Sequence, residues 1–308
     1  MKLVPILFSA LFLLTSCFLQ KNKNHARTSE FSEKNGSGAM ILRFAEGSHA
    51  THPSALASEH FSNLVEEKTG GKIRIKVYYD GELGNSAEVL EQLKFGGIAL
   101  GRVGYIELND SVPALKPFSE KIISNPLVCR SEILRNKDFI TEKCLAEKLY
   151  PLSVFYSDKR CFYSDSWKFF FDSMRSFKGL KIGTSPSSLI QNELKKYGAD
   201  CVEISGTDTY QSMQKGFISV REGEFSDFIL GDDYPFANYI MISEYISNPS
   251  VLVISNEVWN HLSIEQRKIF IDCAIESAEY QQKMTERFYT AYLKTIQKNK
   301  HTLYLQKY

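Results

Sequence analysis

The chain has no surplus of charge of either sign: 37 lysines and arginines face 36 aspartates and glutamates in 308 residues, a formal net charge of +1. A nucleic-acid binder needs a basic stripe that displaces counterions from phosphates, and none is visible, so nucleic acid is excluded as a partner. Catalytic signatures are missing as well. There is no G-x-S-x-G elbow, phosphate-binding P-loop, H-E-x-x-H helix or G-x-G-x-x-G turn, and without them no enzymatic role and no cofactor are expected. Cysteine is sparse and scattered, at positions 17, 129, 144, 161, 201 and 273, with no C-x-x-C spacing. Such cysteines read as small buried hydrophobes with room for one bridge. His49-x-x-His52 is followed by Pro53 and brings no third ligand, so no metal site is expected.

A bilayer-spanning run of about 20 apolar residues is also lacking. The apolar stretch from Leu3 to Leu14 follows Lys2 and ends in Leu14-Thr15-Ser16-Cys17. Too short to span, it reads as a cleaved secretory signal over residues 1–16 with a lipobox. Cleavage before Cys17 frees a thiol for diacylglycerol and an amine for a further acyl chain, enough to hold a protein on a membrane surface. The expectation is a periplasmic lipoprotein that meets the membrane through its lipid anchor only. Residues 17–38, rich in Lys, Asn, Ser and Gly, hold too few apolar side chains to repay ordering and read as a flexible tether reaching roughly 25 Å. Removing residues 1–16 takes one lysine and no acid, leaving 292 residues with 36 charges of each sign, long enough for two lobes with real cores.

What the chain does contain is an α/β alternation. Met40-Ile41-Leu42-Arg43-Phe44-Ala45 reads as a strand. The helix expected over 54–68 buries Ala57, Phe61 and Val65 at i, i+4 spacing. Thr69-Gly70-Gly71-Lys72 is a turn needing glycine at positive φ, and Ile73 to Tyr78 alternates as a half-buried strand. Residues 113–126 read as loop, 131–149 as helix-rich, and 154–156 as a strand crossing between lobes. Trp167 to Phe171 is an aromatic insert that reads as packing. Ser263-Ile264-Glu265-Gln266 is a capping box opening a helix to about Lys298. That helix is some 50 Å long at about 1.5 Å per residue. Its apolar stripe keeps no strict heptad, against a coiled coil.

Two stretches carry a resemblance. Ser176 to Pro186 reads S-F-K-G-L-K-I-G-T-S-P. Upstream, His52, Pro53, Ala57, Phe61, the run from Val65 to Ile73, Val77, Tyr78, Gly81, Leu83 and Gly84 keep one order and spacing. Together they resemble the TRAP-type (DctP-like) solute-binding proteins, the extracytoplasmic receptors of tripartite secondary transporters. The likeness covers Met40 to about Lys298. It implies an α/β fold of two lobes, the type II-like periplasmic binding protein, with a long C-terminal helix spanning both: 39–156 with 249–285, and 157–248 with 286–308. Residues 229–243 resemble the family's return helix, with Tyr234 at its tyrosine.

The likeness also implies a cleft that closes on a small organic ligand and delivers it to TRAP membrane subunits. Candidate lining residues are Glu46, Arg102, Tyr105, Tyr156, Arg160, Phe162, Gly183, Ser185, Arg221, Gly223, Tyr234 and Phe236. Arg160 matches the family's first arginine, with Asp158 or Asp165 as an alternative structural partner. Departures fall on one wall. Gly183 stands where the family places the arginine that forks onto a carboxylate, and Gly223 where it places an asparagine. Two glycines there would open volume and favour a larger, apolar or amphiphilic ligand, unless Arg160 and Arg221 replace the missing fork. The rival expectation is a sensory or scaffolding lipoprotein that docks a periplasmic partner, such as a helical-repeat protein.

Overall fold

The structure, a computed structural model, describes residues 32–34, 38–166, 168–169, 174–204, 208–298 and 302–305. The signal, Cys17 and most of the tether lie outside these, as do Trp167, Phe170 and Phe171 of the aromatic insert; Phe169 packs against the core.

The first lobe opens with β1 (Ser32–Lys34), β2 (Met40–Glu46), α1 (Pro53–Lys68) and β3 (Ile73–Tyr78). Ala57, Phe61 and Val65 of α1 are fully buried, as their spacing requires. Gly70 and Gly71 take φ of 61° and 74°, the left-handed region that lets the chain reverse into β3. After α2 (Ser86–Lys94) and β4 (Leu100–Gly104) come α3 (Tyr105–Ser111), α4 (Lys116–Ile122), α5 (Cys129–Arg135) and α6 (Lys137–Ala146), then β5 (Leu149–Val154).

The stretch expected to be loop therefore contains a 3-10 turn at Pro113–Leu115 and the whole of α4. Pro113 and Pro117 sit in first turns, where a missing N–H costs nothing, so these prolines start helices rather than break them. The helix-rich stretch divides in two at Asn136, and the crossing strand stops at Val154, leaving 155–159 as an irregular link.

The second lobe comprises β6 (Arg160–Ser164), β7 (Lys181–Thr184), α7 (Ser188–Lys195), β8 (Asp200–Glu203), α8 (Thr209–Gln214), β9 (Val220–Glu224), α9 (Phe225–Leu230) and β10 (Tyr239–Ser243). Residues 229–243 are not a return helix: α9 ends at Leu230, a 3-10 turn follows at Tyr234–Phe236, and β10 completes the run. Pro235 and the alternating Tyr239 to Ser243 oppose a continuous helix. The chain returns through β11 (Ser250–Ser255) and α10 (Asn256–His261), runs the length of α11 (Ile264–Lys298), and ends in β12 (Thr302–Leu305).

Two six-stranded mixed sheets result. One has the order β1-β2-β4-β11-β5, with β3 also on β2; the other is β12-β10-β6-β9-β7-β8. The 35-residue α11 begins with the expected reciprocal cap: Gln266 N–H donates to Ser263 Oγ (3.2 Å) and Ser263 N–H to Gln266 Oε1 (2.8 Å). It packs on α1 through the stacked pair His60–Tyr280 and the Lys68–Glu276 ion pair at 2.9 Å, and further along on Phe225 through Tyr289. Between these, Gln281 accepts the N–H of Tyr156 (3.0 Å) and donates to its carbonyl (3.3 Å), so the helix grips the link where the chain changes lobes. All five described cysteines are free thiols, four of them buried, and burial pushes Cys129 up to about 11. No helix among the described residues is long and apolar enough to cross a membrane.

Candidate functional site

A cleft of about 770 Å³ lies between the lobes. On the first wall, sheet register sets Arg102 of β4 beside Glu46 at the end of β2. Arg102 Nε donates to Glu46 Oε2 (2.8 Å), and Nη2 reaches Glu46 Oε1 and, at 2.9 Å, Ser48 Oγ. Ser58 Oγ (2.6 Å) and the Ser48 N–H (3.0 Å) complete the cage around the buried carboxylate. Burial opposes the charge on Glu46, yet the Arg102 charge and these donors outweigh it and hold the carboxyl below its usual range.

On the second wall, β6 and β9 place Arg160 opposite Glu224. Arg160 Nε donates to Glu222 Oε1 (2.7 Å), Nη2 lies 2.6 Å from the same oxygen, and Nη1 reaches Glu224 Oε1 (3.2 Å). Glu222 is wholly buried. Despite burial, the two carboxylates raise the Arg160 pKa above its ordinary value. Glu224 goes the other way. Burial is the main cause, Arg160 opposes it only in part, and Asp227 and Asp158 add repulsion, so its carboxyl is pushed up to about 8.

Asp158 accepts the backbone N–H groups of Lys159 and Ser226, each at 2.7 Å, fixing the link against the first turn of α9. His52 caps α1 by accepting the Ser54 N–H at Nδ1 (3.1 Å), and its buried Nε2 lies 3.5 Å from Asp227 of α9 in the other lobe. Ligand atoms of His52, Asp158 and Glu224 lie within 4.8 Å of one another. A ring accepting at Nδ1 carries its neutral-state proton on Nε2, so it presents a donor to these carboxylates; a metal-binding histidine needs the reverse arrangement.

Arg221, next along β9, is 7% exposed, and its Nη1 is buried with no partner among the described residues. In the sheet it pairs with Gly183 of β7. A Cβ on Gly183 would come within 2.8 Å of Ile218 Cδ1 and 3.4 Å of Arg221 Cδ. The room left by that glycine is therefore filled, in part by the stem of Arg221. Near it, Tyr163 Oη donates to Asp233 (2.7 Å).

The profile of the family described as "Bacterial extracellular solute-binding protein, family 7" (DctP) matches residues 44–307. The chain belongs to this family. Curated DctP relatives include a solute-binding protein of Chromohalobacter salexigens, 26% identical over 243 residues that cover 77% of this chain and 70% of the relative. Another is the 2,3-diketo-L-gulonate-binding periplasmic protein YiaO of Escherichia coli K12, 20% identical over 246 residues, 80% of this chain and 75% of the relative. Among solved structures, the TRAP periplasmic solute-binding protein of Sulfitobacter sp. NAS-14.1 with bound β-D-galacturonate has a TM-score of 0.76 at 21% identity, covering 86% of this chain and 88% of that one. The Haemophilus influenzae RdAW protein with bound L-gulonate has the same TM-score at 19% identity, covering 87% and 88%. The DctP fold expected from the residues is the fold observed, and the family is one of extracytoplasmic transport receptors, not enzymes.

Of the sequence-based candidates, this DctP chain brings Arg102, Tyr156, Arg160, Ser185, Arg221, Gly223 and Phe236 to the cleft. The other five, Glu46, Tyr105, Phe162, Gly183 and Tyr234, do not line it. Tyr105 is fully buried in the first core with its hydroxyl 3.2 Å from Ser119 Oγ. Phe162 is buried between Phe177 and Tyr245, in a core it shares with Met174 and Met241. Tyr234 packs edge-on against Phe228, and Glu46 lies behind Arg102. Gly183 opens no volume, for the reason given above; a Cβ on Gly223 would meet nothing within 4 Å. Sequence reasoning missed Glu222, Glu224 and Asp227. The one trace of the two glutamates is the charge pattern of Val-Arg-Glu-Gly-Glu, which becomes meaningful only once β9 is known to lie beside Arg160.

Proposed function

We propose that this receptor captures a small carboxylate-bearing solute by closure of its two lobes and passes it to the membrane subunits of a TRAP-type transporter, while Cys17 carries the lipid that tethers it. The observation that carries this reading is Arg221. Its buried Nη1 has no hydrogen-bond partner among the described residues although the Asp233 charge lies near; an unpaired buried donor is costly, and a planar carboxylate is the group a guanidinium fork fits. Standing beside Gly183, Arg221 can take over from the neighbouring strand the role that the family resemblance assigns to an arginine there. The ligands bound in the similar Sulfitobacter and Haemophilus structures, galacturonate and gulonate, are themselves carboxylates. Three arginines and seven carboxylates line the cleft, a charged setting that suits a polar acid better than an apolar or amphiphilic ligand. Binding would bias an open and closed equilibrium through contacts that only the closed form offers, which is how the membrane partner could tell loaded from empty.

The test is calorimetric titration with D-galacturonate, D-glucuronate and L-gulonate, followed by Arg221→Ala. Two charge-assisted hydrogen bonds at about 1.5–3 kcal/mol each predict a loss of about 100-fold or more for any binder. Unchanged affinity in the variant would remove Arg221 from the site. For the tether, Cys17→Ser should move the protein from the detergent phase to the aqueous phase.

A further inference from the structure

The cleft carries more negative charge than an anion receptor needs. Three guanidiniums line it. Arg102 is committed to Glu46 and Arg160 to Glu222 and Glu224, while Arg221, with the Asp233 charge near it, keeps a buried Nη1 unpaired for a ligand. Against these three stand seven lining carboxylates, including Asp158, Glu224 and Asp227 together at the meeting of the lobes. A mono- or dianion placed on Arg221 would set its remaining oxygens against that wall, where like charges in a poorly solvated space repel strongly.

We infer that the solute is a zwitterion, with its carboxylate on Arg221 and a cationic nitrogen at the Asp158–Glu224–Asp227 side of the same cleft. This rests on the reading of Arg221 as the carboxylate anchor. The acids alone would not suffice, since Asp158 also caps α9. The independent sign of a ligand is the buried, unpartnered Nη1 of Arg221 on the same cleft.

Glu224 is the acid best suited to receive the cation. Its side chain keeps about a quarter of its exposure, facing the cleft, and it shares Arg160 with Glu222. The charged groups around it are Arg160 of β6, Asp158 of the link, Asp227 of α9, Arg102 of β4 and, from α1, His52. With its carboxyl pushed up to about 8, Glu224 holds a proton at neutral pH in the empty cleft. An ammonium arriving there favours the ionised form and displaces that proton to buffer. Arg221 and Glu224 stand three residues apart on β9, an odd spacing that turns their side chains to opposite faces of the strand, so the two charges belong well apart on the solute rather than on one carbon.

The experiment is calorimetry on the full chain in mild detergent at pH 7, with two matched pairs: D-gluconate against 6-amino-6-deoxy-D-gluconate, and adipate against 6-aminohexanoate. The aminated member should bind at least about tenfold more tightly in each pair that binds, the size of one favourable charge contact. Its heat should vary with buffer ionisation enthalpy in the sense of proton release. Glu224→Gln should abolish both the preference and the proton release. Asp227→Asn, at an exposed helix position that tolerates change, should reduce the preference on a securely folded background. Tighter binding of gluconate or adipate than of the aminated partner overturns the zwitterion. If that binding still depends on Arg221, the carboxylate receptor stands and only the charge selection falls. Binding by none of the four compounds overturns both.

Discussion

Arg160 was expected as a ligand anchor, and the structure gives it structural partners. Replacing it with alanine separates the two roles. Glu222, whose side chain is wholly buried, would lose the guanidinium that donates to it twice, and Glu224 would lose the Arg160 Nη1 that reaches its Oε1. Removing one member of a buried pair costs about 3–5 kcal/mol, because the other charge is stranded. For a domain of this size each kcal/mol moves the melting temperature by about 2–4 °C, so Arg160→Ala should melt about 6–20 °C lower. The assay is thermal unfolding by circular dichroism in the absence of ligand, alongside Arg160→Met/Glu222→Met. Swapping both charges for apolar side chains of similar volume should recover most of the loss. The reasoning is refuted if the single variant melts within about 2 °C of the parent while losing ligand affinity, a shift worth no more than 1 kcal/mol.

Gly183→Ala forces a methyl to within 2.8 Å of Ile218 Cδ1 and 3.4 Å of Arg221 Cδ. Overpacking of this kind costs about 1–3 kcal/mol, and by shifting Arg221 it should also weaken solute binding, measured by chemical denaturation and titration. Gln281→Leu leaves the N–H and carbonyl of Tyr156 unpaired in the link between lobes, which should cost about 1–3 kcal/mol in the same denaturation assay and speed amide exchange at residues 155–159. Glu224 has a raised folded pKa, so the native state binds more protons than the unfolded chain between the ordinary glutamate value and about 8. Stability therefore falls as pH rises through that window, and Glu224→Gln should flatten the slope of melting temperature between pH 5 and 8. Glu46 has the opposite sign: its lowered pKa stabilises above the unfolded value and is lost in acid, so Glu46→Gln should remove part of the destabilisation seen below about pH 4.

Local chemistry was legible in the sequence where it decides structure locally. The turn at Gly70-Gly71, the alternation from Ile73 to Tyr78 and the cap at Ser263–Gln266 all read correctly because each depends on neighbours within a few residues. Residues 113–126 and 229–243 misled for a different reason. Proline both starts and stops helices, and a stretch of family likeness does not state which segment is helix and which is strand. The charge pairs were illegible. Arg160 meets Glu222 and Glu224 across more than sixty positions of chain, and Arg221 fills the space beside Gly183 only because β7 and β9 are neighbours. A glycine in place of an arginine reads as a void until the adjacent strand is known.

The place of β11 has a consequence for how the chain must be made. Its residues, Ser250–Ser255, are threaded between β4 and β5 in the first sheet. Until they emerge, β4 and β5 have no strand between them and β5 is cut off from the rest of the sheet. The second sheet likewise has at its edge β12, the last strand among the described residues. Neither half can complete itself during synthesis, because pairing so distant in sequence is slow and comes late. A polypeptide whose first sheet cannot close before β11 is made can still be threaded through a narrow translocation pore, and it takes its shape on the far side.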